Sequence, residues 1–433
     1  MNISSIQNFF EKKFVSDSLF AIAAHIFVGI SGLIINSMVG IYYSAEGLGI
    51  FSQGFSIYLL LSLLGNCGIM ISAQKHASQY SSDDETLSQI FSNTVAATAM
   101  VSFSIAVCTY YLFSLNPGIL NSDEVLTFVL LICSAIPLFA LNKTMNNFMV
   151  GLRFMKVYSA IRLVRWTLIV FGILFISIDN ATILTIPEVF FFTELSLFFL
   201  LVIYCRPFWG KINLSQIQLH LSFGVKNVLA SFVDEIGIRM PILIIGYISG
   251  NIEAGLFAYV LSFARSILLI PQAIQKSFNP VFTKHWFNNE HQKNELNIGK
   301  VFRYNAISIL PAFILLYLFY MGYTFYIMPP EYLLLHPLLG ILMIGMGTIY
   351  LFGPFATFLI MTDNLNTNLF RVSISTLLHF GFIFLFIHDY GNTGVAAAIS
   401  ISMIINIFIM DYLYKRDINI HLFKNTFFSF RNG

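Results

Sequence analysis

SFVDEIGIRMPILIIGYISGNIEAGLFAYVLSFARSILLIPQAIQKSFNP, residues 231–280, is the segment around which the rest of the chain is organised. Its apolar runs predict two membrane-spanning helices joined by a short glycine-containing turn. Four charged residues lie within this apolar sequence: Asp234, Glu235, Arg239 and Arg265. A charged side chain inside a bilayer costs at least about 3 kcal/mol, so such residues normally face a bundle interior or a water-filled cavity. We therefore expect the functional site in this region.

The composition of the whole chain is that of a polytopic membrane protein. Its 433 residues are 57% hydrophobic and only 10% charged, with a mean hydropathy of +0.78, whereas soluble domains carry roughly 25% charged residues. The four cysteines have no metal-ligand spacing and form no pair in an external loop, so neither a disulfide framework nor a metal site is predicted. We expect no cofactor and no nucleic-acid partner.

Hydropathy divides the chain into about twelve spans, since crossing a bilayer takes about 20 mainly apolar residues. They lie near residues 17–40, 47–73, 86–114, 124–149, 156–178 and 187–206 in the first half, and near 222–248, 253–279, 299–322, 333–361, 366–388 and 392–414 in the second. The predicted fold is therefore all-α and integral to the membrane, with two six-helix lobes. The lobes comprise residues 1–206 and 222–433, joined by a cytoplasmic amphipathic linker over 207–221.

The charges of the connections predict the orientation. One set of connections has no Lys or Arg and contains Glu46, Asp123, Glu124, Asp179, Glu188, Glu253, Glu331 and Asp389. The opposite set holds the basic residues, among them Lys75, Arg153, Lys156, Lys211 and Lys284. Because short basic loops stay in the cytoplasm, both termini are predicted to be cytoplasmic.

An internal repeat supports the division into two halves. Residues 44–51, SAEGLGIF, resemble residues 251–257, NIEAGLF, at an offset of about half the chain. Two repeats of six helices share one topology, so they are expected to be related by an axis along the membrane normal, as in several secondary transporters. The competing interpretation is that small residues simply recur at tight turns.

These turns, the acidic pair Asp234–Glu235, and the run from Phe263-Ala264-Arg265 through Pro271 to Phe278-Asn279-Pro280 resemble the polysaccharide-transport branch of the MOP exporter superfamily. Within that branch, the chain is most similar to the Wzx-type repeat-unit flippases. The resemblance implies a MATE-like arrangement of both lobes around a central cavity. It also implies alternating access and a substrate consisting of an oligosaccharide linked to undecaprenyl pyrophosphate.

The ionisable residues within the spans suggest where such an anion would bind. Five are cationic, namely Arg162, Arg165, Lys226, Arg239 and Arg265, and three are acidic, namely Glu194, Asp234 and Glu235. The excess of positive charge predicts an anion-binding interior, with the five cations as pyrophosphate ligands. Guanidinium groups match phosphate oxygens bidentately and stay charged when partly dehydrated. Arg162 and Arg165 share a helix face, so we rank this pair first, although both could instead reach lipid phosphates at the inner surface.

The three acidic residues are candidates for ion coupling. Glu235 and Arg239 are spaced for an ion pair on one helix, which would make their role structural. Asp234 then needs Arg265 or Lys226 as a partner, or else can carry a proton. Glu194 is close to the external side, where a solvated polar rim is the simpler interpretation. Pro241 and Pro271 lie in the same two helices and predict bends that could take part in gating.

The sequence therefore predicts a transporter, with no enzymatic activity, in a bacterial inner membrane. It is expected to flip lipid-linked repeat units for O-antigen or a related polysaccharide, to contact membrane lipids, to work as a monomer, and to cooperate with the polysaccharide polymerase and chain-length machinery. A MATE-like cation-coupled exporter is the nearest alternative. A membrane O-antigen polymerase fits less well, because all external connections are short. An ATP-driven flippase would need a phosphate-binding loop that the sequence lacks.

Overall fold

The computed structural model of the chain describes residues 3–362 and 364–424, without the side chains of residues 3–19, 21, 22, 226, 227, 276, 277 and 280. Every regular element in these two ranges is helical. The chain forms two compact units, Met1–Phe232 and Val233–Gly433, and the boundary falls inside one long helix.

The first unit contains eight complete helices: α1 Ile3–Tyr42, α2 Ser44–Asn66, α3 Ile69–Gln79, α4 Asp84–Leu115, α5 Asp123–Ile132, α6 Ala135–Gly151, α7 Met155–Ile178 and α8 Ile186–Tyr204. Helix α9, Leu214–Ser249, crosses the boundary. The second unit adds seven: α10 Asn251–Ser266, α11 Leu269–Phe287, α12 His291–Ile327, α13 Pro330–Leu333, α14 His336–Phe352, α15 Phe358–Met361 and α16 Leu365–Ile418. Short 3₁₀ turns occupy Pro117–Ile119, Ile183–Thr185, Arg206–Phe208 and Gly353–Phe355.

Eight segments of the described chain are long and apolar enough to cross a membrane: Ala23–Tyr42, Ser44–Asn66, Asp84–Leu115, Met155–Ile178, Ile183–Tyr204, His291–Ile327, His336–Met361 and Leu365–Ile418. Two bent pairs qualify when each is counted as one span: α5 with α6, bent by 47°, and α10 with the start of α11, bent by 43°. The protein is therefore a multi-pass membrane protein.

These criteria give up to ten spans among the described residues. Two helices account for the difference from the predicted twelve. Helix α16 is really two helices, because Gly391 interrupts it with φ 52° and ψ −135°. Each part is long enough to span a bilayer. Helix α9 covers the seventh predicted span and contains Asp234, Glu235 and Arg239. All twelve predicted spans thus coincide with helices, and the all-α membrane fold class is confirmed. The division into lobes and linker stays a prediction, and residues 214–221 of that linker form the first turns of α9.

Several spans are broken where hydropathy predicts one continuous helix. Pro137 and Pro271 both lie in the first turn of the second helix of a bent pair. Proline is tolerated there because the N–H groups of a first turn have no intrahelical acceptor, but it disrupts the preceding turn. Pro354 lies in the 3₁₀ turn after α14, whereas Pro241 and Pro311 lie inside helices.

The break between α2 and α3 has a different cause. Cys67 and Gly68 both adopt left-handed backbone conformations, with φ of 47° and 70°. The backbone of Gly68 packs directly on Gly224 of α9. A Cβ atom added at Gly68 would lie 2.4 Å from the Gly224 carbonyl oxygen. Glycine is therefore required at this position both for its backbone conformation and for the close approach of the two segments.

This contact predicts that Gly68→Ala lowers the free energy of unfolding by about 2 kcal/mol or more, because it combines left-handed strain with a steric clash. Gly32→Ala is the matched control, since nothing lies within 4 Å of a Cβ at Gly32 and alanine is the better helix former. Thermal unfolding of both purified variants in detergent measures the difference. Equal stability of the two variants would contradict the proposed contact.

Candidate functional site

The second unit contains a cavity of about 490 Å³. Its lining includes the four charged residues that the sequence analysis placed within apolar runs: Asp234, Glu235, Arg239 and Arg265. Helices α9, α10, α11, α14 and α16 all contribute to its wall, and Gln272, Gln275, Thr376, His379 and Asn406 add polar side chains. The structure thus brings together the residues that the sequence placed on two neighbouring helices. This cavity is the candidate functional site.

Glu235 and Arg239 form the ion pair that their spacing predicts. Arg239 Nε donates to Glu235 Oε1 at 2.7 Å. The two side chains remain 23% and 27% exposed, so both charges keep part of their hydration. A partly hydrated pair is held less tightly than a dry one, and a competing anion can reach the guanidinium at lower cost.

Arg265 joins α10 to α9. Its Nη2 donates to the carbonyl oxygen of Ile238 at 3.1 Å. Pro241 follows three residues later and has no N–H to donate to the preceding turn. The missing N–H of Pro241 would have bonded the Gly237 carbonyl. Arg265 therefore donates to the backbone carbonyl that directly follows this one. Its guanidinium faces the cavity at the same time.

Asp234 lies on the cavity wall and is exposed to the cavity space. Its charge interacts favourably with Arg371 and, more weakly, with Arg265, and unfavourably with Glu235. Arg265, one of the two partners considered from the sequence, thus acts on Asp234 only weakly, and its pairing with Asp234 stays a prediction. The side chain of Lys226, the other candidate and a predicted pyrophosphate ligand, lies outside the described residues.

Two residues of α16 that were not predicted from the sequence lie at or near this site: His379 in the cavity wall and Arg371, whose charge acts on Asp234. Arg371 Nη2 donates to Asn368 Oδ1 at 3.2 Å, and His379 lines the cavity with only 8% of its surface exposed. Both lie in the eleventh predicted span, where an Arg or His within apolar sequence is itself the signal for a functional residue. Thr376 lies between them and donates to the Val233 carbonyl at 3.2 Å, which holds α16 against α9.

The first unit holds a second charged cluster. Arg165 Nε donates to Glu194 Oε1 at 2.6 Å, with side-chain exposures of 11% and 0%. Asn142 Nδ2 donates to both Glu194 Oε2 and the Glu194 carbonyl oxygen, each at 2.8 Å. The Tyr58 hydroxyl lies close to both charges. The expectation of a solvated rim for Glu194 was wrong, because its carboxylate is fully buried and paired.

Arg162 and Arg165 have different surroundings despite sharing a helix face. The Arg165 guanidinium also stacks over the rings of Phe139 and Trp166, at 4.4 and 5.3 Å. Arg162 is half-buried and contacts Tyr158, through a long hydrogen bond of 3.5 Å and a ring contact at 5.6 Å. Arg165 is thus neutralised by a specific partner, whereas Arg162 has only a weak one.

The residues that line the cavity carry no excess of positive charge, although Arg371 acts on Asp234 from beside it. Two carboxylates and two guanidinium groups line the cavity of the second unit, and Arg165 is neutralised by Glu194 in the first. Within the described ranges, no group of three or more His, Cys, Asp or Glu side chains is placed to hold a metal ion.

Solved structures of membrane transporters share this fold. Lipid II flippase MurJ in an inward closed conformation superposes with a TM-score of 0.74 at 17% identity, covering 95% of this chain and 91% of that one. An inward-facing multidrug resistance MATE family transporter of the MOP superfamily gives 0.71 at 11% identity, covering 92% and 98%. A MATE transporter of Vibrio cholerae gives 0.68 at 14% identity, covering 95% and 99%. The chain therefore has the fold that these MOP-superfamily structures share.

A match to a sequence family gives a more specific similarity than the fold does. Residues 119–324 match the sequence model of a family described as "Polysaccharide biosynthesis protein". No curated protein sequence matches the chain. The resemblance to the polysaccharide-transport branch of the superfamily, stated above from the turns and the charged helices, is confirmed by this match together with the fold.

The buried pair in the first unit predicts a strong effect on stability. Arg165→Met should lower the free energy of unfolding by about 3 to 5 kcal/mol, because it leaves the Glu194 carboxylate buried and unpaired. The double variant Arg165→Met with Glu194→Met should recover most of that loss. Thermal unfolding in detergent tests both, with the half-exposed Arg162→Met as control. A single variant as stable as the control would disprove the buried pairing.

Proposed function

We propose that this protein is a flippase that moves an oligosaccharide linked to undecaprenyl pyrophosphate from the cytoplasmic to the periplasmic leaflet by alternating access. The product would serve O-antigen or a related surface polysaccharide. The observation that carries the proposal is the polar cavity of the second unit, which places two guanidinium groups in membrane-embedded helices of a MOP-type transporter. The family match to polysaccharide biosynthesis proteins supports the substrate class.

The arginines would bind the pyrophosphate by exchanging weaker partners for stronger ones. Arg265 donates to a neutral backbone carbonyl, and Arg239 shares a partly hydrated pair with Glu235. A phosphate oxygen is charged, so it adds a Coulomb attraction to the guanidinium that a neutral carbonyl oxygen lacks. Exchange of the Ile238 carbonyl for a phosphate oxygen would therefore favour Arg265 as the first ligand. Arg162, Arg165 and Lys226 remain proposed ligands with less structural support.

The membrane potential is large enough to drive the proposed step without a coupled ion. Moving one charge through 100 mV is worth about 2.3 kcal/mol. Two negative charges that move outward, away from the negative interior, would gain about 4.6 kcal/mol per 100 mV. Coupling through Asp234, Glu235 or Glu194 is thus compatible with the proposal but is not required by it. Of the three, Asp234 is the best placed, because it faces the cavity, whereas Glu235 and Glu194 each form an ion pair.

The proposal includes the cellular setting of the protein. The chain would lie in a bacterial inner membrane with both termini in the cytoplasm, since the basic connections are all on one predicted side. It would act as a monomer, because both repeats lie in one chain, and would hand its product to a polysaccharide polymerase and chain-length machinery.

A MATE-like exporter of organic cations is the second candidate. Asp234 and Glu235 provide the observation that favours it, because both carboxylates line the cavity and could attract a cation. Transport of a cationic dye by the purified chain in vesicles, and its loss in Asp234→Asn, would support this candidate over the flippase.

Complementation tests the flippase directly. In cells lacking their own repeat-unit flippase, the native chain should restore surface polysaccharide. Arg265→Gln should reduce it by about tenfold or more, since loss of one charge-assisted bond to phosphate is worth about 1.5 to 3 kcal/mol. Arg206→Gln, at an exposed position outside the cavity, is the control. All variants are compared at equal membrane levels and with the cognate polysaccharide genes present.

The accumulation of substrate distinguishes the outcomes. Inward-facing lipid-linked oligosaccharide should build up with Arg265→Gln but not with Arg206→Gln. Full activity of Arg265→Gln would exclude Arg265 as a substrate ligand but would not contradict the proposed flippase function. Failure of the native chain with its cognate polysaccharide would overturn the proposed function.

The coupling hypothesis has a separate test. If Asp234 and Glu235 couple protons, Asp234→Asn combined with Glu235→Gln should abolish the dependence of transport on a pH gradient, because neither side chain can then ionise. Transport into vesicles with and without an imposed gradient measures this dependence. Glu331→Gln, exposed and outside the cavity, is the control. An unchanged gradient dependence in the double variant would exclude coupling through this pair.

A further inference from the structure

Helices α7 and α8 leave a groove of about 290 Å³ between them in the first unit. Its apolar wall comprises Leu168, Gly172, Phe175 and Ile176 from α7, and Val189 and Phe192 from α8. The helices approach closely at Gly172, where an added Cβ would lie 2.5 Å from Val189 Cγ1. Ser196 also lines the groove, and its hydroxyl donates to the Phe192 carbonyl at 2.8 Å. The surface presented to an occupant is therefore almost entirely apolar.

The groove opens towards lipid. Met155–Ile178 and Ile183–Tyr204 both qualify as membrane spans, each with a mean hydropathy of 2.0. Phe175 and Phe192 at its edge are 72% and 60% exposed. In a membrane, an exposed apolar surface of this kind is covered by hydrocarbon chains. The occupant is therefore a chain of a lipid.

Charges of opposite sign flank the groove. Arg162 lies ten residues before Gly172 on α7, or about 15 Å along the helix axis. Glu188 lines the end of the groove at the first turn of α8. A lipid phosphate is attracted at the Arg162 end and repelled at the Glu188 end. The orientation predicted from the loops puts Arg162 nearer the cytoplasm, so the favoured lipid has its head group on that side.

We infer that this groove binds the isoprenoid chain of the lipid-linked substrate, with the phosphate at the Arg162 end. The inference rests on the proposed function. A polyprenyl phosphate brings a single chain to a groove that runs between just two helices, whereas a phospholipid brings two chains on one head group. The irregular wall of alternating glycine, branched and aromatic side chains also suits a chain with methyl branches. The groove thus gives α7 two contacts with one substrate: a cation for the phosphate and an apolar surface for the tail.

Photolabelling of the full chain in nanodiscs tests this assignment. The probes are a long polyprenyl phosphate with a diazirine in its chain and phosphatidylglycerol with a diazirine in an acyl chain, and labelled peptides are mapped by mass spectrometry. Ser196→Phe fills the groove. Ser104→Phe is a matched control, because Ser104 is also exposed and also donates to the carbonyl four residues before it, but on α4.

Polyprenyl label on α7 and α8 that falls about tenfold in Ser196→Phe and is unchanged in Ser104→Phe is the expected result. Equal labelling of the groove by phosphatidylglycerol would show ordinary lipid contact and overturn the inference, as would absence of polyprenyl label there. Flipping of lipid-linked oligosaccharide by the native chain is measured in parallel. Active flipping without groove labelling would exclude the lipid site and leave the proposed flippase function standing. Specific labelling without flipping would exclude the flippase function and leave the lipid site standing.

Discussion

The cost of placing charge in a membrane determines where this chain can put its ionisable residues. Each described cluster meets that cost in a different way. In the first unit, Glu194 is fully buried and is satisfied by Arg165 and Asn142. In the second, the Glu235–Arg239 pair stays partly hydrated along a cavity. A dry pair stabilises one arrangement and is expensive to separate, whereas a wet pair can exchange partners. The second unit is accordingly where ligand exchange is easiest.

The same constraint applies to the backbone. Peptide groups in a bilayer need partners within the protein, so irregular segments survive only where something else supplies them. The bends before Pro137 and Pro271 meet this requirement by placing proline where a helix has an unpaired N–H in any case. At Pro241 the missing N–H leaves the Gly237 carbonyl without its usual helical donor, and Arg265 donates to the next carbonyl, that of Ile238. A charged side chain thus contacts the backbone next to this proline.

Much of the fold could be predicted from the sequence, because hydropathy reports directly on the bilayer. The twelve spans and the ion pair of Glu235 with Arg239 follow from local spacing. The sequence failed where the partner is distant or the conformation is unusual. Glu194 is 29 residues from Arg165, and nothing in the sequence marks them as neighbours. Cys67 in a left-handed conformation gives no signal, since residues other than glycine rarely adopt it. Arg371 was missed because its role depends on α16 packing against α9.

Arg265 has a thermodynamic consequence that follows from its two neighbours. It cannot donate the same N–H to the Ile238 carbonyl and to an anion in the cavity. Any anion that takes this donor must displace it from the Ile238 carbonyl. Occupancy of the cavity and the contact between α10 and α9 are then linked. Reciprocity requires that an anion which weakens this contact binds more weakly, by the same factor, when the contact is stabilised.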